Sequence, residues 1–261
     1  MAVDANSSFI QWVIYIVQNY WPLFLRGAEV TLIISLTGTI IGFAIGILIG
    51  IIRTIPIDSN THILKRAVYK VVNVLLLIYI EVFRGTPMIV QAMVVFYGVA
   101  MIWGIHLTTF AAGIFIVSIN TGAYMAEIVR GGIISIDKGQ FEAAHAIGMT
   151  HSQTMAFIVL PQAIRNILPA LSNEFVINIK DTSVLNVIGV TELFFQSKSA
   201  AGNNYRYFEV FLITCLVYLV MTFTVTRILR YWEKRLEGPD VYTIHGSQTV
   251  PEAEIKIVGK K

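Results

Sequence analysis

The sequence predicts an all-α polytopic membrane helical bundle of five transmembrane helices, with the N-terminus outside and the C-terminus inside. Three observations carry that expectation. Of 261 residues, 56% are apolar and only 13% charged, about half the charged share of an ordinary soluble domain. The run from Val30 to Ile52 holds no charge and, at about 1.5 Å per residue, is long enough to cross a hydrocarbon core of roughly 30 Å. The Lys and Arg residues gather between apolar runs and not along one stripe, so a net charge of +3 points to membrane topology and away from nucleic acid. Cys215 is the single cysteine, which excludes a disulfide framework and a cysteine-based metal site.

Residues 1–26 are expected to form an N-terminal interfacial segment. No Lys or Arg occurs before Arg26, so the basic start of a secretory leader is missing, and Trp12, Tyr15, Tyr20 and Trp21 suit the headgroup layer. Residues 27–232 form the transmembrane domain. In the first span, Val30 to Ile52, Gly38, Gly42, Gly46 and Gly50 recur every four residues and make a smooth ridge for close helix packing. Lys70, Glu81 and Arg84 interrupt the stretch from 67 to 104, and Pro87 disfavours helix at Thr86. One kinked span is predicted there, with 67–82 oblique at the interface and Met88 to Trp103 making most of the crossing; two separate spans are the alternative. Leu107 to Ala126, Leu171 to Val190 and Val210 to Thr226 complete the five. This arrangement places 15 of the 19 Lys and Arg residues inside, as cytoplasmic loops require. A six-span topology lowers that asymmetry. Residues 233–261 read as a mobile cytoplasmic tail, with Gly238, Pro239, Gly246 and Pro251 and no sustained apolar period.

Between the third and fourth spans the signals change from hydropathy to capping. Asp137 and Gln140 fit a capping-box-like start, 138–147 a short helix, and Gly148 a left-handed end. Thr150 with Gln153 starts a second helix whose apolar face, Met155, Ile158 and Val159, runs to Pro161, where the pattern breaks. Two short helices at an angle make a rigid knob, which can transmit force.

Glu142, Ala143 and Ala144, then Gly148, then Ile158, Leu160 and Pro161, fill seven fixed positions over twenty residues. This spacing resembles the EAA signature of ATP-binding-cassette importer permeases of the type I, MetI-like fold. Phe83-Arg84-Gly85-Thr86-Pro87 and the segment from Asn173-Glu174-Phe175 to Lys180-Asp181-Thr182-Ser183 resemble the polar amino acid uptake subfamily. The likeness extends over roughly residues 20 to 235. It implies a cytoplasmic EAA coupling loop, with Glu142, Ala143, Ala144 and Gly148 seated in a groove of a separate ATPase dimer. It also implies a second permease, either this chain or a paralogue, an extracellular or periplasmic amino acid binding protein, and a bacterial inner-membrane location. Small alanines would let the knob sit deep, Glu142 would offer a carboxylate to a basic partner, and Gly148 would set the interhelical angle. A helical hairpin lying on the membrane surface is the plain structural alternative.

No Gly-rich loop ends in Gly-Lys-Ser/Thr, so the chain lacks a phosphate cradle of that kind. ATP and Mg are expected on the partner ATPase, and no cofactor on this chain. His62, His106, His145, His151 and His245 are scattered and make no metal site, and no catalytic constellation is apparent.

Ionisable residues inside a span normally face a cavity or a partner. Taking about 100° per residue, Asn178 lies about 40° and Asp181 about 20° from Glu174 around the fourth span, one polar stripe. Together with Thr182 and Ser183 as neutral donors, it is the candidate lining of a translocation path; a helix-to-helix hydrogen-bond network is the equal alternative. Lys180 points away from Asp181, leaving Glu81 or Glu127 as its carboxylate. For Asn120, Tyr124 and Glu127 of the third span, a helix-to-helix network is the favoured reading. Arg84 reads as snorkelling to cytoplasmic phosphates and Pro87 as the first turn of a helix. Two further function classes fit the same composition: a secondary transporter using the intramembrane carboxylates, and a non-transporting membrane scaffold. The first would need inverted repeats and paired broken spans, which the sequence does not display.

Overall fold

The computed structural model describes residues 7–56 and 62–236; the tail beyond 236 lies outside the described residues. All regular structure among them is helical. Helix α1, Phe9–Thr54, starts on a reciprocal capping box between Ser8 and Gln11. Its 46 residues include Pro22 and most of the stretch expected to form a separate interfacial segment, so from Phe9 onward that stretch is continuous with the first span. Packing explains the continuity. Ile16 and Phe24 are buried against Leu193, Ala200, Ala201 and Val210, and that burial outweighs the loss of one backbone bond at proline.

Helices α2, Ile63–Gly85, and α3, Met88–Trp103, meet at a bend of 116°, with Thr86 extended and Pro87 capping α3. The kink falls where Pro87 predicts it. Helix α4, Thr109–Ile134, runs past the expected Ala126. It can do so because the Glu127 carboxylate pairs with Arg53 from the end of α1 and with Arg130 on its own helix at 3.0 Å.

Helix α5, Lys138–Ala146, begins with Asp137 accepting from the Gly139 amide at 2.6 Å, and Gln140 does not return the bond that a capping box needs. Helix α6, His151–Thr154, does have the reciprocal box, between Thr150 and Gln153. Pro161 does not break the chain direction here. A π turn, Met155–Val159, leads straight into α7, Leu160–Asp181, and this wider turn directly before Pro161 is where a helix accommodates the missing N–H and the ring of a proline. The fourth span therefore starts well before the expected Leu171. It tightens into a 3₁₀ turn, Thr182–Ile188, which ends at Gly189 with φ +84°.

Helix α8, Leu193–Asn204, was not expected from the sequence. Glu192 caps it, accepting from the Phe194 and Phe195 amides at 2.8 and 2.7 Å and from the Tyr218 hydroxyl at 3.0 Å. Glu192 lies in the link between spans; burial raises its carboxyl above the usual range, opposed by those three hydrogen bonds. Helix α9, Tyr207–Leu236, closes the described chain and is longer at both ends than the predicted fifth span. Among the described residues four helices are long and apolar enough to cross a membrane, and the bent pair α2–α3, counted as one broken span, makes five.

The centre of the bundle is the α1–α4 seam. Gly38, Gly42 and Gly50 of α1 lie so close to Val117, Thr121 and Val129 of α4 that an added Cβ would come within 2.5 to 2.7 Å of them. Both helices repeat every four residues along the contact, so the glycine ridge does what its spacing predicts. Below this seam, Val129, Ile133, Met155, Val159, Ala163 and Ile167 form the apolar base that fixes the knob to the spans.

Candidate functional site

The knob projects Glu142, Ala143 and Gly148 to the outside, while Ala144 is 4% exposed. Gly148 adopts φ +83°, a conformation that glycine enters without steric cost. It lets the Met149 amide return to the Ala144 carbonyl at 3.0 Å. Of the predicted docking residues, Ala144 therefore sets the α5–α6 angle from within and does not belong to the outer face. Sequence reasoning passed over two large apolar residues that do: Ile147 is 79% exposed and Phe157 71%.

The fourth-span stripe divides. Asn178 is buried and donates to the Thr39 hydroxyl of α1 at 2.8 Å and to the Thr121 hydroxyl of α4 at 2.9 Å. That is a helix-to-helix clamp, the alternative its position left open. Glu174 is buried without a hydrogen bond to another described residue, and Asp181 is exposed. Thr182 turns inward and donates to the Ile179 carbonyl at 3.0 Å, and Ser183 is half-buried in the 3₁₀ turn. Lys180 takes neither expected carboxylate. Glu127 is held by Arg53 and Arg130, and Lys180 opens on a groove shared with Phe194, Phe211 and Tyr218.

Third-span polar groups knit helices together, the reading favoured for them. Asn120 donates to the Gln91 side-chain oxygen at 2.8 Å and to the Phe83 carbonyl at 3.3 Å. Gln91, missed in the sequence, is the hub of the α2–α3 break. Its amide nitrogen reaches the Phe83 carbonyl, the Thr86 carbonyl and the Thr86 hydroxyl, each at 2.9 Å. A break exposes carbonyls that hydrocarbon cannot satisfy; one amide side chain covers them. A glutamine four residues after a proline was the available signal. Arg84 does not snorkel away from the bundle: its guanidinium lies over the Tyr124 ring, 5.5 Å from the centroid. Among the described residues no group of His, Cys, Asp and Glu could hold a metal ion.

Five apolar crossings, a broken span with its carbonyls covered, a buried carboxylate between helices and a rigid external knob define a polytopic membrane permease. Residues 62–238 match the family described as binding-protein-dependent transport system inner membrane component, and the chain belongs to that family. It is 38% identical over 217 residues to the glutamine transport system permease protein GlnP of Escherichia coli (strain K12), covering 83% of this chain and 94% of that protein. To the arginine transport system permease protein ArtQ of Bacillus subtilis (strain 168) it is 33% identical, covering 84% and 94%. The fold matches a crystal structure of an amino acid ABC transporter with histidines, with a TM-score of 0.73 and 37% identity over 90% of this chain and all of that one. An inward-facing structure of the MetNI methionine ABC transporter, 19% identical with a TM-score of 0.66 over 89% of this chain and all of that one, shares the fold.

Proposed function

We propose that this chain forms the translocation path of an ATP-binding-cassette importer for polar amino acids and couples to a separate ATPase through the knob. The observation that carries the reading is the knob itself: two capped helices joined at Gly148, fixed to the spans through Val159 and Ala163, with Glu142, Ala143, Ile147 and Phe157 free for a partner. Relatives named for glutamine and arginine transport support the cargo class. ATP and Mg belong to the ATPase dimer in this scheme, a second permease completes the path, and a binding protein delivers cargo from the outer face. Closure of the nucleotide-loaded ATPases draws two knobs together, and the knob's tie to α4 and α7 converts that motion into a change of access.

Vesicles containing the chain, its ATPase and its binding protein should import glutamine or arginine only when ATP is present. Uptake driven by a proton or sodium gradient without the ATPase would overturn the proposal in favour of a secondary transporter; no uptake under either regime would favour a scaffold. Gly148→Ala places a side chain at φ +83° at a cost of about 1 to 2 kcal/mol. It should lower ATP-driven import while the spans keep their thermal stability, because the strain sits in the knob.

A further inference from the structure

Helices α7 and α9 enclose a groove of about 310 Å³, walled by Val176 and Lys180 on one side and by Leu219, Phe223, Arg227 and Arg230 on the other. Its lining changes character along α9. Leu219 and Phe223 are 58% and 57% exposed, an apolar wall with no protein over it. One turn further on, cations replace them. Arg227, Arg230 and Lys234 follow at spacings of three and four, which places them on one face of the helix, and all three are exposed. Arg227 and Arg230 make no ion pair among the described residues, and no described carboxylate lines the groove. The hydroxyls of Thr222 and Thr226, which also line it, donate to the Tyr218 and Thr222 carbonyls at 2.9 and 2.6 Å. Donors directed at a ligand therefore come from the cations. Arg227 stacks on the Phe223 ring, 4.9 Å from the centroid, which fixes the guanidinium plane and leaves its edge open to oxygens.

Depth and charge together identify the ligand. Helices α7 and α9 run antiparallel: Leu168 and Leu171 share one groove with Leu229 and Trp232, and Val176 and Lys180 share this one with Leu219 and Phe223. Helix α9 thus descends toward the knob, where α7 begins. At about 1.5 Å per residue, Arg227 lies about 30 Å along α9 from Tyr207, roughly one hydrocarbon thickness. Its guanidinium stands at the level of the phosphates of the knob-side leaflet, with Phe223 and Leu219 above it at acyl-chain depth. Basic pockets between spans on the cytoplasmic side take phospholipid headgroups. A phosphodiester carrying acyl chains meets both halves of this groove, oxygens against the cations and chains along the apolar wall. A zwitterionic amino acid or a choline headgroup does not, because its ammonium would find cations and no carboxylate.

We infer that the α7–α9 groove binds an anionic phospholipid of the cytoplasmic leaflet, its phosphate held by Arg227 and Arg230 and its acyl chains laid along Leu219 and Phe223. This goes beyond the import reading and does not depend on it. The test titrates the full-length chain, purified in a nonionic detergent, with dioleoylphosphatidylglycerol and with dioleoylphosphatidylcholine, and counts bound lipid by native mass spectrometry. The wild-type chain should hold the phosphatidylglycerol about tenfold more tightly or better, the size of a charged hydrogen bond. Arg227→Gln combined with Arg230→Gln should reduce it to the level of phosphatidylcholine. Arg227→Lys combined with Arg230→Lys should keep most of the preference, which separates lost charge from a lost fold. Lys65→Gln combined with Lys70→Gln, at the exposed start of α2, removes the same charge elsewhere and should leave the preference unchanged. Equal affinity of the two lipids for the wild-type chain overturns the assignment, as does a preference that survives in the α9 glutamine pair. An equal loss in the α2 pair would mark a diffuse charge effect and also overturn it. Displacement of bound phosphatidylglycerol by millimolar glycerol phosphate would show that the groove takes a free phosphate and not a lipid, with the same consequence.

Discussion

The two faces of α4 are built on opposite principles. Toward α1 it presents Val117, Thr121 and Val129 to a ridge of glycines at backbone distance; toward the α2–α3 break it presents Asn120 and Tyr124 to a polar, open corner. Glycine appears on both sides with opposite meaning. Gly42 is there because nothing larger fits, whereas Gly85 has room beside it. A membrane helix gains little from apolar contact in an apolar solvent, so the closed face depends on close packing and the open face on hydrogen bonds. The first acts as a rigid strut; the second leaves polar groups at an open corner.

Gly42→Val should break this contrast most severely. An added Cβ lies 2.7 Å from the Thr121 Cβ, with the Gly122 backbone at 3.0 Å, so neither side can yield easily. We expect a loss on the order of 3 kcal/mol, seen as a large fall in the thermal midpoint of the purified protein or a failure to assemble. Gln91→Leu comes next. It strips the Thr86 carbonyl of its side-chain donor and leaves the Phe83 carbonyl and the Asn120 amide with only their mutual bond at 3.3 Å, at a cost of about 2 kcal/mol, and should raise the reactivity of a thiol placed at Thr86. Glu127→Gln removes the anion between Arg53 and Arg130 and should cost about 1 to 2 kcal/mol, because the cluster is partly solvated; a thermal shift assay reads it. Gly85→Ala should be the mildest, with the midpoint unchanged or slightly raised, because the site is open and the substitution relieves chain entropy. A large loss there would mean that the corner is closed in the assembled protein.

The spans and the knob were legible because their signals are local. An uncharged run of the right length, a glycine every fourth residue and Thr150 with Gln153 each carry their meaning within a few turns. The expected boundaries failed where a distant partner changed the balance. The third span is expected to stop at Ala126, but Arg53, 74 residues from Glu127, allows the helix to run on. Pro161 reads as a breaker, but the π turn directly before it lets the helix continue. Helix α8 has few apolar residues of its own, and depends on Gly27 of α1 and on Thr214 of α9 bonded to Ser197 at 2.7 Å.

What the sequence by itself determined is the membrane class, the glycine seam and the capped knob, since hydropathy, small-residue spacing and end-capping act on neighbouring residues. Only the tertiary structure decided what the polar groups do. Asn178 and Glu174 share a stripe, yet the first meets Thr39, 139 residues away, and the second meets no described donor. Arg84 reads as a lipid anchor until Tyr124 is placed beneath it. The physical reason is that a polar side chain in hydrocarbon takes its role from the partner it meets, and that partner comes from another helix.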